Sequence, residues 1–316
     1  MFAGFMAGIL WGLDTVLLGV ALATAPFVST AQAIFLAPFV STFLHDACSS
    51  LWMFLYMGWK KQYQATLRAL KSKSGKFIVL GALLGGPVGM SGYVSAIHFI
   101  GPGYTAIFSA LYPAVGACLS FLFLKEKMNK VQMLGLTVCI LSVIGLSYTP
   151  GGKQPENLVA GMICALVCVF GWAAEAVICA HGMKDPDLSN EQALQIRQLT
   201  SAIFYGIVFL PLLSGWDFTL ELVRTPTAAM ILLTALFGTA SYLCYYRAIS
   251  RSGATKAMAM NITYSAWALL FSFIILGVIP DVKSVLFGIA IVLGSLVAAN
   301  GFPAKKTEKA AAQETP

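Results

Sequence analysis

Charge is what this sequence carries least of. Only 10% of its 316 residues are Asp, Glu, Lys or Arg, and its mean hydropathy is +0.80. A soluble domain holds roughly a quarter charged residues. So few charges cannot cover a water-exposed globule of this size, which excludes an ordinary soluble enzyme. Histidine is scarcer still, with three in the chain. His98 and His181 fall at the ends of apolar runs and read as interfacial. No Walker A, HExxH or GxSxG motif occurs, so those phosphate-binding, metalloprotease and hydrolase sites are missing. The seven cysteines all lie in or beside apolar runs. Cys164 and Cys168 share a helix face, but no His or second pair is spaced to complete a metal site. They read as small apolar helix residues. No cofactor, metal or enzymatic role is expected.

What the sequence has in abundance is apolar length. Hydrophobic residues make up 58% of it, and many of the 29 glycines sit inside apolar runs, as in closely packed membrane helices. The expected fold is all-α and integral to a membrane. Ten spans are read at 3–24, 32–57, 76–99, 103–124, 130–148, 158–182, 190–213, 227–249, 254–277 and 283–301. The first lacks the basic n-region of a cleaved signal peptide. The stretch 60–75, KKQYQATLRALKSKSG, reads as a short basic interfacial helix. From Pro303 the tail has too little apolar content to fold alone.

The net charge of +7 reports topology rather than nucleic acid. With these spans, sixteen of the twenty basic residues collect on one side, among them Lys60, Lys61, Arg68, Lys71, Arg247 and Arg251. The other side holds Lys153, Arg224 and Lys283, and Arg197 falls within a helix. The positive-inside rule then puts both termini in the cytoplasm.

The chain also resembles itself. A shift of 152 residues pairs Tyr93 with Tyr245, Gly101 with Gly253, Tyr112 with Tyr264 and Leu124 with Leu276. A shift of 161 pairs Trp11 with Trp172 and Asp14 with Glu175. Two five-helix halves follow, 1–150 and 151–302, with 303–316 as a disordered cytoplasmic tail. An odd number of helices per half inverts the second half relative to the first, an arrangement typical of transporters. Helix breaks are expected at GGPVG (85–89), Pro38 and Pro113.

Three of the thirteen acidic residues fall inside apolar segments: Asp14, Asp46 and Glu175. A carboxylate at that depth costs a few kcal/mol and is a functional candidate by default. Asp46 has His45 beside it and Arg197 available as a partner elsewhere. Trp172 lies three residues before Glu175, and Trp11 three before Asp14, so each pair shares a helix face. Trp52, Trp59 and Trp216 suit a membrane interface, whereas Trp11, Trp172 and Trp267 fall near the middle of their spans. Tyr242 and Tyr245 share one face of the eighth. Central aromatics with central acids suit a quaternary ammonium, which has no N–H to donate and is held by ring quadrupoles at roughly 0.5–2 kcal/mol each. Composition alone also permits other organic cations or aromatic solutes.

Over about 1–302 the sequence resembles the drug/metabolite transporter superfamily of EamA-like type, and within it the bacterial LicB-type choline permeases. The segments that carry the likeness are GILWGLD (8–14), HD (45–46), LGALLGGPVGM (80–90) and SALYPAVG (109–116). The rest are GMICALVCVFGWAAEAV (161–177), EQALQIRQLTS (191–201), SYLCYYRAI (241–249) and NITYSAW (261–267). The resemblance implies uptake of choline through the bacterial cytoplasmic membrane by alternating access. It implies an aromatic box of Trp11, Trp172, Tyr242, Tyr245 and Trp267, with Glu175 as counter-charge. Asp46, Asp14 and Arg197 are assigned to coupling and gating, and protons to the role of coupling ion, carried on Glu175 or Asp46. Asp14 and Arg247 depart from the family pattern. The competing readings are an EamA-type exporter of amino acids, metabolites or drugs, and a membrane anchor that transports nothing.

Overall fold

A computed structural model describes residues 1–148 and 157–300. Every regular element in that range is helical. In chain order these are α1 (Phe2–Leu22), α2 (Ala31–Trp59), α3 (Tyr63–Lys71), α4 (Lys73–Leu83), α5 (Ser91–Ser109) and α6 (Tyr112–Leu119). Then come α7 (Lys130–Ser147), α8 (Leu158–Gly182), α9 (Asn190–Phe204), α10 (Leu210–Leu212) and α11 (Trp216–Val223). The last four are α12 (Pro226–Ser252), α13 (Ala254–Asn261), α14 (Tyr264–Leu276) and α15 (Val282–Asn300). Wide π-helical turns at Leu84–Met90, Ser120–Leu124 and Tyr205–Phe209 join or extend α4–α5, α6 and α9–α10. Polar caps start several helices. The Thr30 hydroxyl accepts from the Ala33 amide at 3.0 Å, and Asn129 with Gln132 and Ser189 with Gln192 form capping boxes.

Nine helical stretches among the described residues are long and apolar enough to cross a membrane. The chain is a multi-pass membrane protein. The fourth expected span, 103–124, is not continuous. Helix α5 runs on to Ser109, the chain turns at 110–111, and a shorter apolar helix occupies Tyr112–Leu124. Pro113 therefore kinks nothing, because it sits in the first turn of α6, where its missing N–H is an orphan anyway. Pro38 does lie inside α2, where the Ser41 and Thr42 hydroxyls donate to its carbonyl at 3.2 and 2.7 Å. His98 lies within α5 rather than at a helix end. The basic stretch after α2 forms the one short helix α3, ending at Lys71, with α4 starting at Lys73. The tail from 303 and most of the junction between the halves lie outside the described residues.

The turn at 110–111 has a counterpart at Ile262 and Thr263, between α13 and α14. Tyr112–Leu124 matches Tyr264–Leu276 end for end at an offset of 152, the same separation as the Cys139 thiol and the Ile291 carbonyl it donates to. Packing is reciprocal too. Helix α1 packs on α12 and α14, while α8 packs on α5 and α6. Helix α2 pairs with α9, and α7 with α15. The last pair approaches backbone to backbone, since a methyl on Gly135 would lie 2.7 Å from the Gly294 carbonyl. A buried cluster that includes Met53, Met57, Ala69 of α3, Ile78, Tyr246, Met258 and Met260 packs these helices together.

Candidate substrate site

The site begins with a break in a helix. GGPVG cannot continue as regular α-helix, because Pro87 lacks an N–H, and the chain widens into the π turn at Leu84–Met90. Its glycines let neighbouring helices come close. Gly85 lies against Glu175 of α8, Gly86 against Ser201 of α9, and Gly89 against Trp172, whose Cδ1 would be 2.9 Å from a methyl there.

Helix α9 supplies the centre. Its sequence NEQALQIRQLTSAIF is polar for a membrane segment, and Gln192, Gln195, Arg197, Gln198 and Ser201 are all buried. Arg197, only 3% exposed, spends its donors on four side chains. Nε donates to Glu175 at 2.8 Å, Nη1 to both oxygens of Asp46 at 3.3 Å and to Gln198 at 2.7 Å, and Nη2 to the Tyr242 hydroxyl at 3.1 Å. The guanidinium also lies over the Tyr242 ring, 4.7 Å from its centroid. Asp46 therefore meets Arg197, the partner the sequence left available to it. Glu175 shares that partner.

Asp14 is held separately. Its Oδ1 is 2.9 Å from Nε2 of His45, whose Nδ1 is 3.8 Å from Asp46. Gly238 of α12 makes room for this pair, since a methyl there would lie 2.6 Å from the His45 ring and 3.0 Å from Asp14. Five helices thus meet in one run of charge: α1, α2, α8, α9 and α12. It holds three carboxylates against one permanent cation and one histidine, so the interior is acidic.

The aromatics flank this run. Trp11 meets Tyr242 edge to face at 5.1 Å. Trp172 packs on Tyr93 at 5.3 Å and on Tyr112 at 5.9 Å. Tyr242, Tyr245 and Tyr246 form a cluster with centroids 6.2–6.4 Å apart. Trp267 sits in the first turn of α14, just past the break at 262–263, with its Cβ against Gly12. Trp11, Trp172, Tyr242, Tyr245 and Trp267 are half-buried, as side chains lining an interior space are. Trp267 Nε1 and Gln198 Nε2 have no hydrogen-bond partner among the described residues.

Sequence reading missed His45, Gln198, Tyr93 and Tyr112 as site residues. Signals for three of them were present: His45 adjoins Asp46, and the two tyrosines belong to the 152-residue repeat. No group of three metal-ligating side chains occurs among the described residues. Two outer grooves, about 390 Å³ between α3 and α9 and about 480 Å³ along α8, are lined almost wholly by apolar side chains and open away from the network.

Residues 1–148 and 159–300 both match the EamA-like transporter family. The chain belongs to that family. It is 37% identical over 190 residues to Protein LicB of Haemophilus influenzae, covering 60% of this chain and 63% of LicB. It is 25% identical over 209 residues to Protein PagO of Salmonella typhimurium, covering 64% of this chain and 66% of PagO. The matched regions span just under two thirds of both relatives. A solved crystal structure superposes with a TM-score of 0.70 over 95% of each chain at 16% identity, a likeness of fold alone.

Proposed function

We propose that this EamA-like transporter takes up choline, or a closely related quaternary ammonium, by alternating access. The observation that carries the reading is an interior with three carboxylates against one arginine, flanked by half-buried tryptophans and tyrosines. Such a site attracts a cation, and the rings recognise one that cannot donate hydrogen bonds. Trp11, Trp172, Tyr242, Tyr245 and Trp267 form the box, and Glu175, Asp46, Asp14 and Arg197 set its charge. We read the chain as ten spans in two inverted five-helix halves of a bacterial cytoplasmic membrane protein, with both termini inside. The matched breaks at 110–111 and 262–263 and the reciprocal packing support that arrangement.

Thermal stabilisation of the purified protein by choline, betaine, amino acids and polyamines tests the ligand class. Choline should stabilise and neutral amino acids should not. Arg197 favours one rival, a zwitterion whose carboxylate it would engage, and a response to betaine or amino acids alone would select that reading. An inside-negative potential attracts choline by about 2.3 kcal/mol per 100 mV without any co-ion. Proton coupling is therefore tested in proteoliposomes clamped at zero potential, where an inward proton gradient should drive choline accumulation.

A further inference from the structure

We propose that the proton-binding site of this transporter is the Asp14–His45 pair, rather than Glu175 or Asp46; the proposal rests on the transport reading above. The donors of Arg197 decide it. They reach Glu175, Asp46, Gln198 and Tyr242, and none reaches Asp14. One cation thus sits between two of the three carboxylates. The third has His45 as its partner, 2.9 Å away, and both side chains are buried. An unpaired carboxylate is expensive at that depth, and a neutral imidazole offers it no countercharge. A second ring proton on His45 supplies one.

The groups around His45 come from every neighbouring helix. The nearest are Asp14 from α1 and Asp46 on α2 itself; Arg197 from α9 lies beyond Asp46, bonded in turn to Glu175 from α8 and Tyr242 from α12. Both direct neighbours are acids, and a second ring proton gives His45 a donor toward each of them. Helix α12 closes over the pair at Gly238, where a side chain would strike both partners. On the other face, Nδ1 lies 3.8 Å from Asp46, too long for a direct hydrogen bond yet close enough to exchange partners through a small ring rotation. Loading and unloading His45 therefore changes the charge that Asp46 presents to Arg197, and Arg197 touches Tyr242 in the aromatic box.

The chain has three histidines, and His98 and His181 are exposed. In His98→Asn/His181→Asn protein labelled with ¹⁵N-histidine in lipid nanodiscs, His45 gives the only ring signals. At pH 7 both nitrogens should show the shifts of imidazolium, and adding Asp14→Asn should convert them to a single-proton tautomer. A neutral His45 with Asp14 intact overturns the proposal, whether or not choline is the substrate. In proteoliposomes at zero potential, His45→Asn should abolish proton-driven choline accumulation. Full proton drive in His45→Asn would also overturn it. If the intact protein moves no choline at all, the transport reading falls while the nitrogen shifts still decide the proton site.

Discussion

Replacing Gly85 with alanine should damage this protein far more than its size suggests. A methyl on Gly85 would lie 2.7 Å from Cβ of Glu175 and closer still to its carboxylate. Carbon atoms pack at about 3.5–4.0 Å, so something must move. If α8 backs away from the π turn, overpacking costs about 1–3 kcal/mol. If Glu175 swings aside, its 2.8 Å bond to Arg197 breaks and a buried charge loses its partner, which costs about 3–5 kcal/mol. The cheaper route sets the expectation, a loss of about 1–3 kcal/mol. Gly19→Ala is the matched control: it is also a helical glycine, but with no atom within 4 Å of the new methyl. There alanine should be neutral or favourable, by up to about 1 kcal/mol of helix propensity. Both variants can be heated in detergent and followed by the monodisperse fraction remaining. Gly85→Ala should also cost less in a Glu175→Ala background than alone, because part of the clash is then gone. Identical melting of wild type, Gly85→Ala and Gly19→Ala would refute the claim that the glycine turn positions Glu175.

Three further outcomes are expected. Trp172→Ala or Trp11→Ala should weaken choline binding about five- to thirtyfold, the equivalent of 1–2 kcal/mol for one desolvated ring, measured by calorimetry; Trp59→Ala, at a residue 76% exposed, should leave it unchanged. Arg197→Lys should cost more than a conservative exchange normally does, because an ammonium cannot keep Glu175, Asp46, Gln198 and Tyr242 at their present distances together, and thermal stability should fall with substrate response. Reporter fusions at residue 70 and at the C-terminal tail should both read as cytoplasmic, and an external signal from either would overturn the orientation.

Much of the fold was legible because membranes leave the backbone few options. Apolar length located most spans, and GGPVG announced a break that the structure realises as a π turn. The failures were local. Pro113 is a helix breaker in sequence, but the chain turns just before it, so the proline starts α6 instead of bending a longer helix. Trp267 is central to the span Ala254–Leu276, as the sequence reading has it, but the unforeseen break at Ile262 and Thr263 also sets it in the first turn of α14. Both breaks fall at residues with no glycine or proline of their own: Ala110–Leu111 and Ile262–Thr263. Only the repeat relates them, and the aligned tyrosines at 112 and 264 mark the restart in each half.

The charged network was legible to a different depth. Scarcity makes interior pairing readable, because with Arg197 as the one buried arginine among the described residues, the buried acids must compete for it. Asp46 with Arg197 followed from this supply. The winner of the wider competition did not, since it depends on the geometry of Gly85 and Gly238. A turn without side chains fixes Glu175 beside Arg197, and a gap in α12 admits His45 beside Asp14. Glycine has no chemistry to flag in a sequence, yet at these two positions it determines which acid receives the permanent cation and which must rely on an imidazole. The spacing of Trp11 and Asp14 put both on one helix face, but only the placement of α2 and α12 shows why that acid needs a histidine.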